Sequence, residues 1–478
     1  MKNSFLFVYT PAIENIDYYT RIFLELINSK KNLGKIYIIE CKGKSDLNKC
    51  VSNYRGERQK CLKCKAGISF VKNQFKEDDN IIFLSYQSYT FNFEIPISKN
   101  DLIDYKWKGI NIGKGINSFL ITVSKDHDYN FHKHHQIIKS QLSASILTLE
   151  TLLYHNNNLK FNEIYLFNGR VSHYNVILEF ARFYSISFKI FEMFSNNKFE
   201  LSEDKALHDS NQYNSKIESN WLDSIETHSE KIEKSKLFFN KNKNSNENKK
   251  VDLKRYFKKH IPYIKISNVE IITIFNSSRN EYECVENWNK NAFHEDDEDL
   301  IFETCQKFIN DNSKFFILRV HPNLRYYKNS QNRKINELKK LKNIHVIDGS
   351  VKMSSYQLLN ISSKVITFGS TIGVESNFYQ VPVICIGDSA YKYLNVCYNP
   401  ISKSDLFKKI NSKLNNKPLL GSYKYGYYMK EFGNNFKYQN SVKIQHGKLM
   451  YVLLSVFYKF KFVLLNSKQS LIRLKRLL

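Results

Sequence analysis

The chain has 478 residues, 42% hydrophobic and 14% aromatic, which excludes a disordered or fibrous protein and is too long for one ordinary core, so two domains are expected. A formal net charge of +26, from 72 basic and 46 acidic residues, asks for an anionic partner such as phosphate, nucleic acid or a membrane face. That inference is discounted because Lys, Asn, Ile, Tyr and Phe are abundant together, as they are when a genome is AT-rich.

The opening "MKNSFLFVYTPAIENIDYY" has a single lysine and a short apolar stretch, so it reads as a first buried strand and not as a signal peptide. No uncharged apolar run reaches the roughly 18 residues of a membrane span, and a cytoplasmic protein is expected. Next come the helix-like "IDYYTRIFLELINSK" and the strand "KIYIIEC". Then "CKGKSDLNKCVSNYRGERQKCLKC" places Cys41, Cys50, Cys61 and Cys64 close together. One C-x-x-C with two outlying thiols has the donors of a tetrahedral structural zinc site. The alternative is a lysine-rich loop with free thiols.

After "IIFLSY", the loop "SKDHDYNFHKHH" concentrates Asp126 and Asp128 with four histidines, a set suited to a general base or to a divalent metal. The periodic "HHQIIKSQLSASILTLETLLYHNN" follows, then strand "EIYLFNG", a helix and strand "SFKIFE". Asn168 and Arg170 leave the carboxyl end of the first of these strands, in a position to face a cleft. Strands separated by helices predict a mostly parallel sheet covered on both faces. Residues 200–255 read as helical at first and then as a solvated connector, ending in "KIEKSKLFFNKNKNSNENKK".

From about residue 268 the alternation restarts with five strands, predicting a second doubly wound domain. Ligands of such sheets bind beyond the strands' carboxyl ends, and three loops there carry unusual polar residues. "FNSSRNEY" offers Ser277 and Ser278, "RVHPN" offers Arg319, His321 and Asn323, and "FGSTIGVES" offers Ser370, Thr371 and Glu375. Period-two geometry sends Arg319 and His321 to one side. A tight turn at Gly369 followed by hydroxyls at a helix start suits a phosphate, and Glu375 suits a ribose or sugar hydroxyl. The acidic run "HEDDEDL" reads as a helix start. The usual P-loop and dinucleotide glycine patterns and the G-x-S-x-G nucleophile are missing.

The chain ends in "GKLMYVLLSVFYKFKFVLLNSKQSLIRLKRLL", basic and aromatic without an acid, which suits either the interface of an anionic membrane or packing on the first domain. The expected division is 1–265 for the first domain, 266–430 for the second and 431–478 for this amphipathic tail.

"NGR" after a strand, "FNSSRNEY", "LRVHPN", "FGSTIGVESNFYQVPVI" and the early cysteine loop together resemble the GT-B-type glycosyltransferases of bacterial capsule and surface-polysaccharide synthesis. The resemblance covers about residues 35–400. It implies an α/β fold of two Rossmann-like doubly wound domains facing across a cleft, a nucleotide-sugar donor of unknown base held by the second, and a glycan or lipid-linked glycan acceptor at the first. Carried over by position, Ser277, Ser278, Arg319, His321, Asn323, Ser370, Thr371 and Glu375 form the donor site and Asn168 and Arg170 the acceptor side. His321, Asp126 and Asp128 are the candidate catalytic groups, and no obligatory catalytic metal is expected. No clear catalytic acid stands in a family motif, which leaves inversion or retention open. A glycerophosphotransferase of teichoic-acid type is the nearest alternative. An RNA-binding protein is the alternative from another class, opposed by the scatter of positive charge and by the lack of any nucleic-acid module, so no nucleic-acid partner is expected. The implied location is cytoplasmic, peripheral on the inner face of the cytoplasmic membrane.

Overall fold

The computed structural model describes residues 3–436, apart from 11–15, 44–46, 48–49, 88–89, 195–197, 206, 246–250, 263, 265–267, 287, 289–292 and 294–295. The expected amphipathic tail lies outside the described residues from 437 onward. Among the described residues no helix is long and apolar enough to cross a membrane.

Two compact units emerge. Of the described residues, one comprises those of Met1–Asn117 and His134–Lys205 with 434–436; the other comprises those of Ser118–Lys133 and Ala206–Gly433. The boundary expected near 265 therefore falls at Lys205, and a short excursion after residue 117 joins the second unit.

The first unit contains β1 (Asn3–Tyr9), α1 (Ile16–Lys30), β2 (Gly34–Glu40), α2 (Arg58–Gln74), β3 (Ile81–Ser85), α3 (Lys99–Ile103), β4 (Lys106–Trp107), β5 (Ile110–Asn111) and the start of α4 (Gly113–Ser124). It continues with α5 (His135–Leu159), β6 (Glu163–Phe167), α6 (Ser172–Phe183), β7 (Ser187–Met193) and β8 (Phe199–Glu203). Its main sheet runs β3-β2-β1-β6-β7-β8, with every pair parallel except β7 and β8. Leu6, Phe7 and Val8 are consecutive and all buried, as a central strand covered on both faces requires. Phe7 stacks on Tyr165 of the neighbouring strand, ring centroids 4.3 Å apart. The cysteine segment, expected as a loop, carries Cys61 and Cys64 on α2.

The second unit contains α7 (Ser210–Leu222), α8 (His228–Ser245), α9 (Leu253–His260), β9 (Glu270–Phe275), α10 (Asp297–Lys307), β10 (Lys314–Arg319), α11 (Ser330–Leu338) and β11 (Ile344–Ile347). It ends with α12 (Ser355–Leu359), β12 (Lys364–Thr367), α13 (Ile372–Phe378), β13 (Val383–Cys385), α14 (Lys403–Asn411) and α15 (Leu420–Glu431). The order β11-β10-β9-β12-β13, all parallel, makes β9 the strand from which the connections depart in opposite directions. Isoleucines and phenylalanines of β9 and β10 fill the core against Leu300, Ile301, Leu338 and Ile366.

The stretch expected as a solvated connector is helical through Ser245 and packs on α15. Lys231, Ser235 and Phe239, four residues apart, are the buried face. The Ser235 hydroxyl donates to the Tyr423 carbonyl, and Phe239 stacks on Phe378 at 4.1 Å. A Cβ at Gly426 would come within 2.7 Å of the Phe239 ring, so the two helices meet where that glycine leaves room. Phe239→Ala should lower the unfolding free energy by about 3–5 kcal/mol, the usual cost of emptying an aromatic core site. Leu237→Ala, at a 57% exposed position on the same helix, should change it by less than about 0.5 kcal/mol. Denaturant melts of both variants make the comparison, and equal effects would deny that α8 is part of the packed unit.

Candidate functional site

The carboxyl edge of the second sheet holds a cavity of about 220 Å³. Its floor is Phe275 and Asn276 at the end of β9, its sides are Arg319 to Pro322 after β10 and Ser370 to Ile372 after β12, and Ser355, Tyr356, Glu375 and Asn242 complete the wall. The register explains the convergence. Phe275 pairs with Arg319 on one side and with Thr367 on the other, so the three loops leave the sheet at one level.

The turn after β12 depends on Gly369, at φ 80°. A Cβ there would stand 2.4 Å from the Asp388 carbonyl oxygen, which leaves no residue but glycine. Ser370 and Thr371 follow, and the helix start is not capped by the Thr371 side chain. Both residues border the cavity.

Glu375 is buried, 8% exposed. Tyr356 Oη donates to its Oε2 at 2.8 Å and Asn242 Nδ2 to its Oε1 at 3.1 Å. Burial pushes its pKa above the ordinary carboxylate range, while the two donors pull the other way. Asn242 comes from the end of α8, the helix that sequence periodicity failed to reveal.

His321 accepts a hydrogen bond at Nδ1 from the Asn323 backbone N–H, 3.2 Å away, which assigns its proton to Nε2. Burial depresses its pKa, and the positive charge of Arg319 adds to this against the pull of Glu281. The imidazole is therefore a neutral N–H donor. Its backbone is fixed in turn, because His321 N–H donates to Asn276 Oδ1 at 2.9 Å and Asn276 Nδ2 donates to Glu298 Oε1 at 3.3 Å. Gln331 Nε2 holds the same Glu298 oxygen at 2.8 Å. The acidic run does start a helix, as expected, but Asp297 and Glu298 are buried beneath the site instead of solvated.

Several expected site residues have other employment. Arg319 borders the cavity, yet its guanidinium donates to the carbonyls of Asp348 at 2.6 Å and Val351 at 2.9 Å, so it braces the loop after β11 and supplies charge from behind. Ser277 Oγ donates to the Phe368 carbonyl at 2.7 Å, tying two of the loops together, and buried Ser278 donates to Asn280 Oδ1 at 2.8 Å. Asn323 holds Glu281 through its side chain. None of Ser277, Ser278 and Asn323 borders the cavity.

Asp126 and Asp128 do not border it either. The Asp126 carboxylate receives the hydroxyl and the backbone N–H of Ser330, the latter at 3.1 Å, at the first turn of α11. It is a second capping acceptor, supplied from a distant segment alongside the helix's own N-cap Asn329, and Asp128 is exposed beside it. Neighbouring His127 is held neutral by burial and lies 3.8 Å from Asp296.

In the first unit Asn168 and Gly169 take positive φ, 60° and 72°, just past β6. Asn168 Nδ2 donates to Glu192 Oε1 at 3.2 Å and Asn168 Oδ1 accepts the Arg170 N–H at 3.1 Å, so this turn is built internally. Sequence reasoning missed Asn242, Asn276 and Tyr356. Of these only Asn276, inside a quoted loop, had a signal that could have found it.

No family model and no curated protein matches the chain. Among solved structures it is similar to the Thermosulfurimonas dismutans KpsC beta Kdo 2,4 transferase, at 12% identity over 56% of this chain and 80% of that one, TM-score 0.34. It is similar to the UDP-GlcNAc 2-epimerase of Neisseria meningitidis, at 11% identity over 94% and 100%, TM-score 0.27. The wall teichoic acid polymerase TagF is matched at 13% identity over 44% and 49%, TM-score 0.22.

Two outcomes are expected from this geometry. Asp126→Ala should cost about 1 kcal/mol of stability, the value of a lost helix cap, measured by denaturant melts; an unchanged midpoint would remove the capping role. His321 should remain neutral below the ordinary histidine pKa of about 6.5. A folded pKa that is depressed contributes stability above the unfolded value and loses it as pH falls. Titration of the imidazole by NMR checks this, and an ordinary or raised pKa would contradict the depression assigned to burial and to Arg319.

Proposed function

We propose that the chain is a glycosyltransferase of bacterial surface-glycan synthesis, its second unit holding the diphosphate and sugar of a nucleotide-sugar donor in the cavity beyond β9, β10 and β12. One observation carries the reading. A neutral imidazole N–H, two hydroxyls and a buried carboxyl share one cavity at the strand edge where connections diverge.

Each group has a chemical task in sugar transfer. As the bond from the sugar to the diphosphate breaks, charge develops on the leaving oxygens. His321 Nε2–H and the hydroxyls of Ser370 and Thr371 are donors to that charge, with the Arg319 guanidinium behind them. Glu375, its rotamer fixed by Tyr356 and Asn242, binds sugar or ribose hydroxyls. Asp126 is left out of this scheme because its carboxylate caps α11. The acceptor, a glycan or lipid-linked glycan, is assigned to the first unit, with Asn168 and Arg170 at its strand edge. The lysine- and arginine-rich sequence from 447 to 478 supports an anionic membrane surface as a further partner.

His321→Ala should lower transfer about a hundred- to a thousand-fold, the range for removing one preorganised donor at developing charge, and Glu375→Gln should lower it by weakening the hold on the sugar or ribose hydroxyls. Melting of both variants should stay near that of the parent chain. A panel of nucleotide sugars should raise the parent's melting temperature, by an amount worth about 2.7 kcal/mol at a hundred times Kd, and His321→Ala should blunt that rise. Full transfer activity in both variants would remove the donor site. A phosphodiester in place of a glycosidic bond in the product would establish a polyol-phosphate transferase instead.

A further inference from the structure

The first unit carries a second constellation, remote in chemistry from sugar transfer. Cys41 follows β2, Cys50 precedes the short turn Val51–Asn53, and Cys61 and Cys64 stand one helical turn apart on α2. All four thiols border one small cavity of about 30 Å³, together with Thr10 and His173.

Two features of this cavity point the same way. First, sulfurs accept N–H groups. The Gly43 N–H donates to Cys41 Sγ at 3.2 Å and Asn53 Nδ2 to Cys61 Sγ at 3.1 Å. Asn53 is itself locked, 3% exposed, with its Oδ1 accepting the Glu57 N–H at 2.7 Å. Donors aimed at sulfur stabilise thiolates and orient them, as groups around a metal's ligands do. Second, His173 Nδ1 and Thr10 Oγ1 are buried there and, among the described residues, have no hydrogen-bond partner, at residues 1% and 5% exposed. A cavity faced by unsatisfied polar atoms is made for a polar or charged occupant.

We infer that Cys41, Cys50, Cys61 and Cys64 form a tetrahedral thiolate site for a single soft divalent cation of the zinc class, which ties α2 to the end of β2. Among the described residues no three such side chains are already gathered at coordinating distance, so the ion draws the set together instead of entering a finished cage. Binding then releases the thiol protons and links metal affinity to folding of this unit. Soft sulfur donors select zinc over magnesium or calcium, and four protein ligands leave no open position, which makes the site structural.

The test uses the full chain, purified under reducing conditions and reconstituted anaerobically with zinc or cobalt. The expected result is one zinc per chain by elemental analysis, visible absorption of tetrahedral cobalt–thiolate on substitution, and protection of the four thiols from a thiol reagent until a chelator is added. Cys61→Ser with Cys64→Ser should lose the metal and melt at lower temperature. If that variant does not fold, the cobalt spectrum and thiol protection of the parent chain still decide. The inference is overturned by a parent chain that takes up no zinc or cobalt and melts alike with and without them. It is equally overturned by an iron chromophore in the protein as isolated, which would make the site a cluster centre. Transfer by the second unit can fail with this site intact, and the reverse, so the two outcomes are separable.

Discussion

The parallel register around β9 is the constraint from which the candidate site follows. Phe275 is paired on both sides, with Arg319 and with Thr367, and the three chains therefore leave the sheet together. No side chain needs to reach far to meet another above that edge. Gly369 turns one loop beneath the Asp388 carbonyl, Asn276 holds the backbone of the second, and Ser277 ties the first and third together. Slippage of one strand by one residue would reverse which faces its side chains occupy and dissolve the cavity.

Burial then decides the electrical character of what the loops present. His321 is neutral because it is half-buried beside a guanidinium, and Glu375 holds its proton above the usual carboxylate range for the same reason of desolvation. Arg319 stays cationic, with two of its N–H groups given to backbone carbonyls. The cavity thus presents donors in front of a fixed positive charge, an arrangement that favours an anion without a mobile lysine. Beneath it, the side-chain amides of Asn276 and Gln331 both donate to Oε1 of buried Glu298, which ties the first two loops to the helix below.

The parallel strands of both sheets were legible in the sequence because buried parallel strands are continuous runs of β-branched and aromatic residues, and "KFFILR" or "EIITIF" permits little else, whereas the antiparallel β8, "FELSE", offers no such run. The polar residues at their carboxyl ends marked the right edge of the second sheet. Which of those residues face the cavity was not legible, since Ser277 and His321 look alike as polar residues after a strand and only the folded loops separate a tie from a donor. Helix α8 escaped because its buried face is Lys231, Ser235 and Phe239, two of them polar, and apolar periodicity cannot register a face built on a hydrogen bond to a carbonyl. The place of Asp126 was hidden for a similar reason. Its partner, Ser330, is 204 residues away, a distance at which a cap cannot be told from a base.

The most direct measurement is a crystal structure of the chain grown with the nucleoside diphosphate that best stabilises it. The account predicts diphosphate oxygens within hydrogen-bonding distance of His321 Nε2 and of the Ser370 or Thr371 hydroxyl, with Glu375 beside the position of the ribose or sugar. A nucleotide seated elsewhere on the chain, with this cavity holding only water, would contradict it.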